Sequence, residues 1–182
     1  MKLTKKIIID AGHGGEDFGA TYKHRNEKDL SLLISLEMSA LFSKLGYNVE
    51  LTRTADYDLS PNKRTGLIKR FGADYCISNH INAGGGAGAE VIYSIHQDGS
   101  LAELILSQLK KAGLKTRRAF NRANDNGKDL FFMHRDSGST RTLIVEYAFI
   151  DNLKDMDNFI KNYQSAILNV VSGLDLFIKR SV

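Results

Sequence analysis

The chain has 182 residues, 42% of them hydrophobic and only one a proline, a size and makeup suited to one compact domain with a sizeable core. No apolar run approaches the roughly 18 to 20 residues of a membrane-spanning helix, and the lone cysteine, Cys76, excludes an internal disulfide and a thiolate metal cluster, so that any metal must sit on histidine and carboxylate ligands. Lys plus Arg total 25 against 21 Asp plus Glu, a formal charge of +4 that mildly favours anionic partners without choosing among them.

The basic start, MKLTKK, is like the first region of a signal peptide, but Asp10 cuts the next apolar stretch short and no export signal is read. Lys6 to Asp10 is expected to be a buried strand. Asp29 is expected to cap a helix that presents Leu30, Leu33, Ile34, Leu41 and Leu45 and stops at Gly46, with a strand from Tyr47 to Thr52 behind it. Ser60 before Pro61 marks the next helix start, and Gly72 closes that helix after Leu67 and Phe71. Tyr75 to Ser78 and Ala89 to Ser94 read as strands. Ser100 and Glu103 read as a capping box for a helix through Leu104, Ile105 and Leu109 to Gly113. Leu130 to Met133 and Thr142 to Tyr147 are expected as the last two strands. From Leu153 onward, the spacing of Phe159, Tyr163, Ile167, Val170, Val171, Leu174 and Ile178 predicts a closing amphipathic helix.

This alternation, without repeats or linkers, predicts an α/β fold: a single three-layer domain over 1–182, with a twisted, mostly parallel sheet of about six strands flanked by helices. His13, His80 and Glu146 each fall at or just past the end of an expected strand, which in a parallel sheet brings them to the edge where ligands bind. Glu27 joins them from the loop before the first helix. Two imidazoles and one carboxylate make a common catalytic zinc set with a position left open, and a second carboxylate nearby can move protons.

Each residue also has a plainer reading. His13 could be a loop histidine among glycines, Glu27 an exposed acid in a helix's first turn, His80 a satisfied strand-end histidine and Glu146 half of a structural ion pair. His24 is the nearest rival ligand to Glu27. Glu90 reads either as the group that orients a metal-bound imidazole or as a solvated strand-end charge. Asn82 and the run from Gly84 to Gly88 suggest a mobile rim that admits substrate. Cys76 reads as a buried small hydrophobe, and His96 and His134 as solvent-facing. Lys110, Lys111, Lys115, Arg117, Arg118 and Arg122 form a basic stretch that suits an anionic polymer or simply a solvated segment near a helix C-terminus. Phe120 alone is too little aromatic surface for a nucleic-acid platform. The glycines around His13 lack the Lys and Ser/Thr of a phosphate loop, so nucleotide binding is not expected either.

The segments IIIDAGHGGEDFGA, RNEKD, ISNHINA and TLIVEYAFIDN resemble, in order, the motifs of the zinc-dependent N-acetylmuramoyl-L-alanine amidases of the autolysin and phage endolysin type. The resemblance spans most of the chain. It implies that His13, Glu27 and His80 bind one zinc ion and that Glu146 is the catalytic glutamate. It further implies hydrolysis of the amide between the lactyl group of muramic acid and L-alanine, with peptidoglycan as substrate and anionic wall polymers as further partners. Asn79 stands where an aliphatic residue is common, Ala148 where glycine often follows the glutamate, and Arg141 where proline is frequent, and none of the three changes removes a ligand. Without an export signal or a wall-binding module, the expectation is an enzyme made in the cytoplasm and released by lysis, or a catalytic domain trimmed from a longer protein. A wall-binding module that has lost catalysis is the alternative, and retention of all four polar residues argues against it.

Overall fold

The computed structural model describes residues 5–180. In chain order the elements are β1 (Lys6–Ala11), the short pair β2 (Thr21–Tyr22) and β3 (Arg25–Asn26), α1 (Glu27–Lys44), β4 (Asn48–Leu51), α2 (Pro61–Phe71), β5 (Tyr75–Asn82), β6 (Ala89–Tyr93), α3 (Ser100–Lys111), β7 (Thr116–Phe120), α4 (Phe132–Arg135), β8 (Arg141–Phe149) and α5 (Leu153–Arg180). Six strands form one sheet in the order β4-β1-β5-β8-β6-β7. All pairings are parallel except β6 with β8, so β6 and β7 run against the other four strands.

The period-two geometry of a strand sorts its side chains between two layers. Ile7 and Ile9 pack with Ile34, Met38 and Phe42 of α1, Leu101 and Ile105 of α3 and Phe159 and Val170 of α5. Ile8 points the other way and packs with Ile68 of α2, Met133 of α4, Cys76 and Ile144. The result is the expected three-layer α/β domain. Its central strands are covered on both faces, which is why they read as unbroken apolar runs.

Several local expectations need correction. Helix α1 begins at Glu27, with Asn26 as its N-cap and Asp29 inside the first turn, where it accepts from Asn26 Nδ2. Its buried face is Ser31, Ile34, Ser35, Met38 and Phe42, while Leu33 and Leu45 are exposed. Small serines let α1 approach β1 and β5 closely: Ser31 Oγ donates to the Gly12 carbonyl at 2.7 Å, and Ser35 Oγ accepts from Asn79 Nδ2 at 2.9 Å. No capping box forms on α3. Gly99, at φ 72°, is the N-cap and Ser100 turns back to Asp98. The stretch from Leu130 to Met133 is not a strand but enters α4, and the sixth strand is β7, within the basic stretch. An edge strand with exposed Arg117 and Arg118 has no need of alternating apolar residues. Ser60 and Gly72 do bound α2 as expected, Ser60 Oγ accepting from Lys63 N and Gly72 adopting φ 66°. The start of MKLTKK lies outside the described residues, and no described helix is long and apolar enough to cross a membrane.

Candidate metal centre and catalytic cleft

Because β1, β5 and β8 are parallel neighbours, their C-terminal ends open onto one edge. The chain leaves β1 through Gly12 into His13, which takes the left-handed φ of 59°. This turn is pinned from behind by two buried arginines. Arg53 donates to the carbonyls of Ala11 and Gly12, and Arg64 to those of Ala11 and His13. Arg64 also pairs with Asp10, at 2.6 Å, and Asp10 accepts further hydrogen bonds from Thr52 and Ser78. Burial opposes ionisation of Asp10, but Arg64 and those hydroxyls outweigh it and hold the carboxyl below its usual range. Glycine is required at position 12 by contact: a Cβ there would lie 2.3 Å from Cε1 of His80.

Glu27, 4% exposed in the first turn of α1, sits between the two histidines. Its Oε2 faces His13 Nε2 at 3.1 Å and accepts from Ala20 N at 2.8 Å. Its Oε1 faces His80 Nδ1 at 2.7 Å and accepts from Ile81 N at 3.1 Å. The two rings stand edge to face with centroids 5.0 Å apart. Ligand atoms of His13, Glu27 and His80 all lie within 4.8 Å of one another, which makes the trio a group able to hold a metal ion.

The electrostatics favour a cation here. Burial would lower the His80 pKa, yet the hydrogen bond to Glu27 and the fields of Glu146 and Glu27 raise it to about 9. Glu27 is held well below the carboxylate range against its burial, by hydrogen bonds from both histidines. The site thus draws positive charge into the gap between carboxylate and imidazoles. The outer nitrogen of His13, Nδ1, meets Asp17 Oδ2 at 2.8 Å.

Glu146 lies on β8 directly beside His80 on β5 and Glu90 on β6. Its Oε2 is buried and has no hydrogen-bond partner among the described residues. Burial raises its pKa to about 7, with His80 opposing and the charges of Glu27 and Glu90 adding to the rise. No ion-pair partner accounts for Glu146 among the described residues: it stands with a raised pKa beside three side chains able to hold a metal ion.

The model of the family described as N-acetylmuramoyl-L-alanine amidase matches residues 7–173. The chain belongs to that family. It is 34% identical over 152 residues to the sporulation-specific N-acetylmuramoyl-L-alanine amidase of Bacillus subtilis (strain 168), covering 82% of this chain and 58% of that protein. Among solved structures, Cwp6 from Clostridium difficile superposes with a TM-score of 0.86 at 30% identity, over 97% of this chain and 29% of that one. The N-acetylmuramoyl-L-alanine amidase from Clostridium difficile 630 gives 0.85 at 26% identity, over 97% of both chains. The chain thus spans little more than half of the sporulation amidase and less than a third of Cwp6.

Around this amidase-family centre, some candidate residues take other places than expected. Glu90, 2% exposed, meets neither imidazole; it accepts from Asn82 Nδ2 at 2.9 Å and Arg118 Nε at 2.7 Å and pairs with Arg117. The carboxylate on His13 Nδ1 belongs to Asp17 instead. Asn82 is half-buried and spends its amide on Glu90 and on Ala83 N. The glycine-rich rim is tied down, with Gly84 N and Gly85 N donating to Asp151 and Gly88 N to Asp155. His24 is exposed on the β2–β3 turn, outside the group formed by His13, Glu27 and His80. Cys76 is buried and its thiol pKa is pushed up by that burial. His96 is exposed as expected, whereas His134 is 8% exposed on α4. Arg53, Arg64 and Asp17 escaped the sequence reading. Asp10, a charge closing an apolar run, is a sequence feature that could have pointed to a buried cation.

Proposed function

We propose that this chain is a catalytic domain that hydrolyses the amide between N-acetylmuramic acid and L-alanine in peptidoglycan, with His13, Glu27 and His80 holding one zinc ion and Glu146 moving the proton. The observation that carries the reading is the meeting of that trio with an unpartnered, buried Glu146 oxygen on the neighbouring strand. Two imidazoles and a carboxylate suit zinc better than the harder divalent ions, which prefer all-oxygen sets. Bound there, zinc would supply Lewis acidity toward the amide carbonyl and make water more acidic.

The protein's own groups account for the rest. Ala20 N and Ile81 N fix both oxygens of Glu27, and Asp17 fixes the outer nitrogen of His13, so the ligands are aimed before any ion arrives. Glu146, with a pKa near that of the surrounding solution, takes the proton from attacking water and returns it to the departing alanine nitrogen. A silent binding module would have no use for a buried carboxyl oxygen left unpaired, since that costs stability.

The test is release of new L-alanine amino termini from purified peptidoglycan, without new reducing sugar ends. Chelation should abolish release and added zinc restore it. Failure of the metal-loaded chain to release alanine from walls or soluble muropeptides would overturn the reading.

A further inference from the structure

A second built site lies at the opposite end of the sheet. At the N-terminal end of β8, beyond the C-terminal end of β6, a cavity of about 740 Å³ opens between Ser94, Gln97, Asp129, His134 and Thr140. Two further pockets share Ser139 with it, one lined by Ser137 and the other by Arg141. Gln97 Oε1 and His134 Nε2 belong to residues of the cavity lining, Ser137 Oγ and Arg141 Nε to residues of the two adjoining pockets, and all four are buried with no hydrogen-bond partner among the described residues. Buried polar atoms of folded chains are normally satisfied, and so many around adjoining pockets mark a place where a ligand completes them. His134 and Ser137 are 8% and 1% exposed, so this hydrogen-bonding capacity belongs to the wall of the fold.

The unpaired set is neutral apart from the Arg141 guanidinium N–H. Of the charges nearby, Arg141 pairs with Asp98 and Arg135 with Asp136, while Lys128 lines the cavity as an exposed side chain. Asp129 is taken up by Ser94 Oγ and Ile95 N. Burial keeps His134 uncharged at neutral pH, lowering its pKa to about 4. What is left is an amide oxygen, a ring nitrogen, a hydroxyl and one guanidinium N–H, beside the further hydroxyls of Ser139 and Thr140. Groups that both donate and accept suit this mixture, and sugar hydroxyls do both. A peptide strand would need a free sheet edge, and none is offered, because β6 and β8 are interior strands paired on both sides. The volume exceeds what one sugar ring fills and lies within the ordinary range of ligand sites, roughly 300 to 1,000 Å³.

Helix α4 separates this cavity from the metal cleft. Phe132 and Met133 line the cleft with His13 and His80, while His134 and Arg135 line the cavity. Thr142 in the cavity and Glu146 at the centre are roughly 13 Å apart along β8.

We propose that this cavity is an auxiliary glycan-binding site, which holds a stretch of β-1,4-linked N-acetylhexosamine strand behind α4 while the cleft acts on the stem. The identity of that glycan rests on the proposed amidase reading; the cavity and its unpaired polar lining do not. Tetra-N-acetylchitotetraose is the probe, titrated into the metal-loaded, isotope-labelled chain and followed by amide chemical shifts. Saturable shifts at residues 94–98 and 137–140 are expected, weakened at least roughly tenfold in Ser139→Trp, which plugs the cavity from an exposed position, and also in Gln97→Ala. Turnover of a soluble muropeptide should stay native in Ser139→Trp while the KM for polymeric wall rises. No shifts, shifts confined to the cleft, or equal binding by Ser139→Trp would overturn the proposal and mark the cavity as hydrated only. Shifts at the same amides with a free stem peptide and none with the saccharide would also overturn it, in favour of a peptide site. The binding arm needs no turnover, so loss of amidase activity and loss of this site are separately readable.

Discussion

Gly12→Ala tests whether the centre is held by steric fit as tightly as the contacts say. The added methyl would stand 2.3 Å from His80 Cε1, 2.5 Å from Nε2 and 2.7 Å from Nδ1, where ordinary contact starts at 3.4 Å. Gly12 has no left-handed φ to strain, so the load falls on the ring, which must retreat by about 1 Å. Metal–ligand distances tolerate only about 0.2 Å. A retreat of that size takes His80 off its 2.7 Å contact with Glu27 and removes it as an effective ligand. Zinc affinity is expected to fall at least about 100-fold, with overpacking costing ~1–3 kcal/mol of stability in the metal-free chain. The assay is zinc competition against a chromophoric chelator, run beside chemical denaturation. Gly66→Ala is the control: nothing lies within 4 Å of its added methyl inside α2, and it should bind zinc normally and gain roughly 0.5–1 kcal/mol. Native affinity in Gly12→Ala would refute the argument that Gly12 and His80 are packed to fix a ligand.

Other expectations follow from buried ionisable groups. For Glu146 the folded pKa of about 7 stands above the ordinary 4.5, so its contribution to stability is present below pH 4.5 and is lost as the pH rises from there through 7. In the metal-free chain, Glu146→Gln should therefore gain ~1–3 kcal/mol at pH 8 by denaturant titration and flatten that window. His134 has the opposite profile, with a folded pKa of about 4 under an ordinary 6.5: stability is intact above 6.5 and falls as the pH drops from 6.5 to 4, by up to ~3 kcal/mol. His134→Gln should remove that loss, and an unchanged pH profile would contradict the burial argument. Asp10→Asn leaves the Arg64 charge buried without its partner and should cost ~3–5 kcal/mol, seen as a lowered denaturation midpoint, whereas a loss under 1 kcal/mol would mean the pair is not structural.

Where one residue type served one layer, the sequence was readable. Ile7, Ile8 and Ile9 announced a strand buried on both faces, Ser60 and Gly72 bounded α2, and the spacing of Phe159, Ile167, Val170 and Leu174 described α5. Strand ends likewise put His13, His80 and Glu146 on one edge, since parallel neighbours share a direction. Legibility failed where tertiary contacts chose the face. Helix α1 buries Ser31 and Ser35 in preference to Leu33 because close approach to Gly12 and Asn79 is worth more there than apolar area. The edge strand β7 carries arginines whose partner, Glu90, lies on another strand, so its basic pattern looked like solvated loop. Arg53 gave no signal: apart from Ser31 Oγ its acceptors are backbone carbonyls, which every residue has.

Proton transfer by Glu146 is tested by comparing native chain with Glu146→Gln on purified peptidoglycan, each shown beforehand to hold one equivalent of zinc. The native chain is expected to release L-alanine amino termini, and Glu146→Gln to lose at least ~100-fold in kcat while keeping its zinc. Native-like release by zinc-loaded Glu146→Gln would contradict the assignment of the proton to Glu146, and with it the mechanism built on its buried, unpaired oxygen.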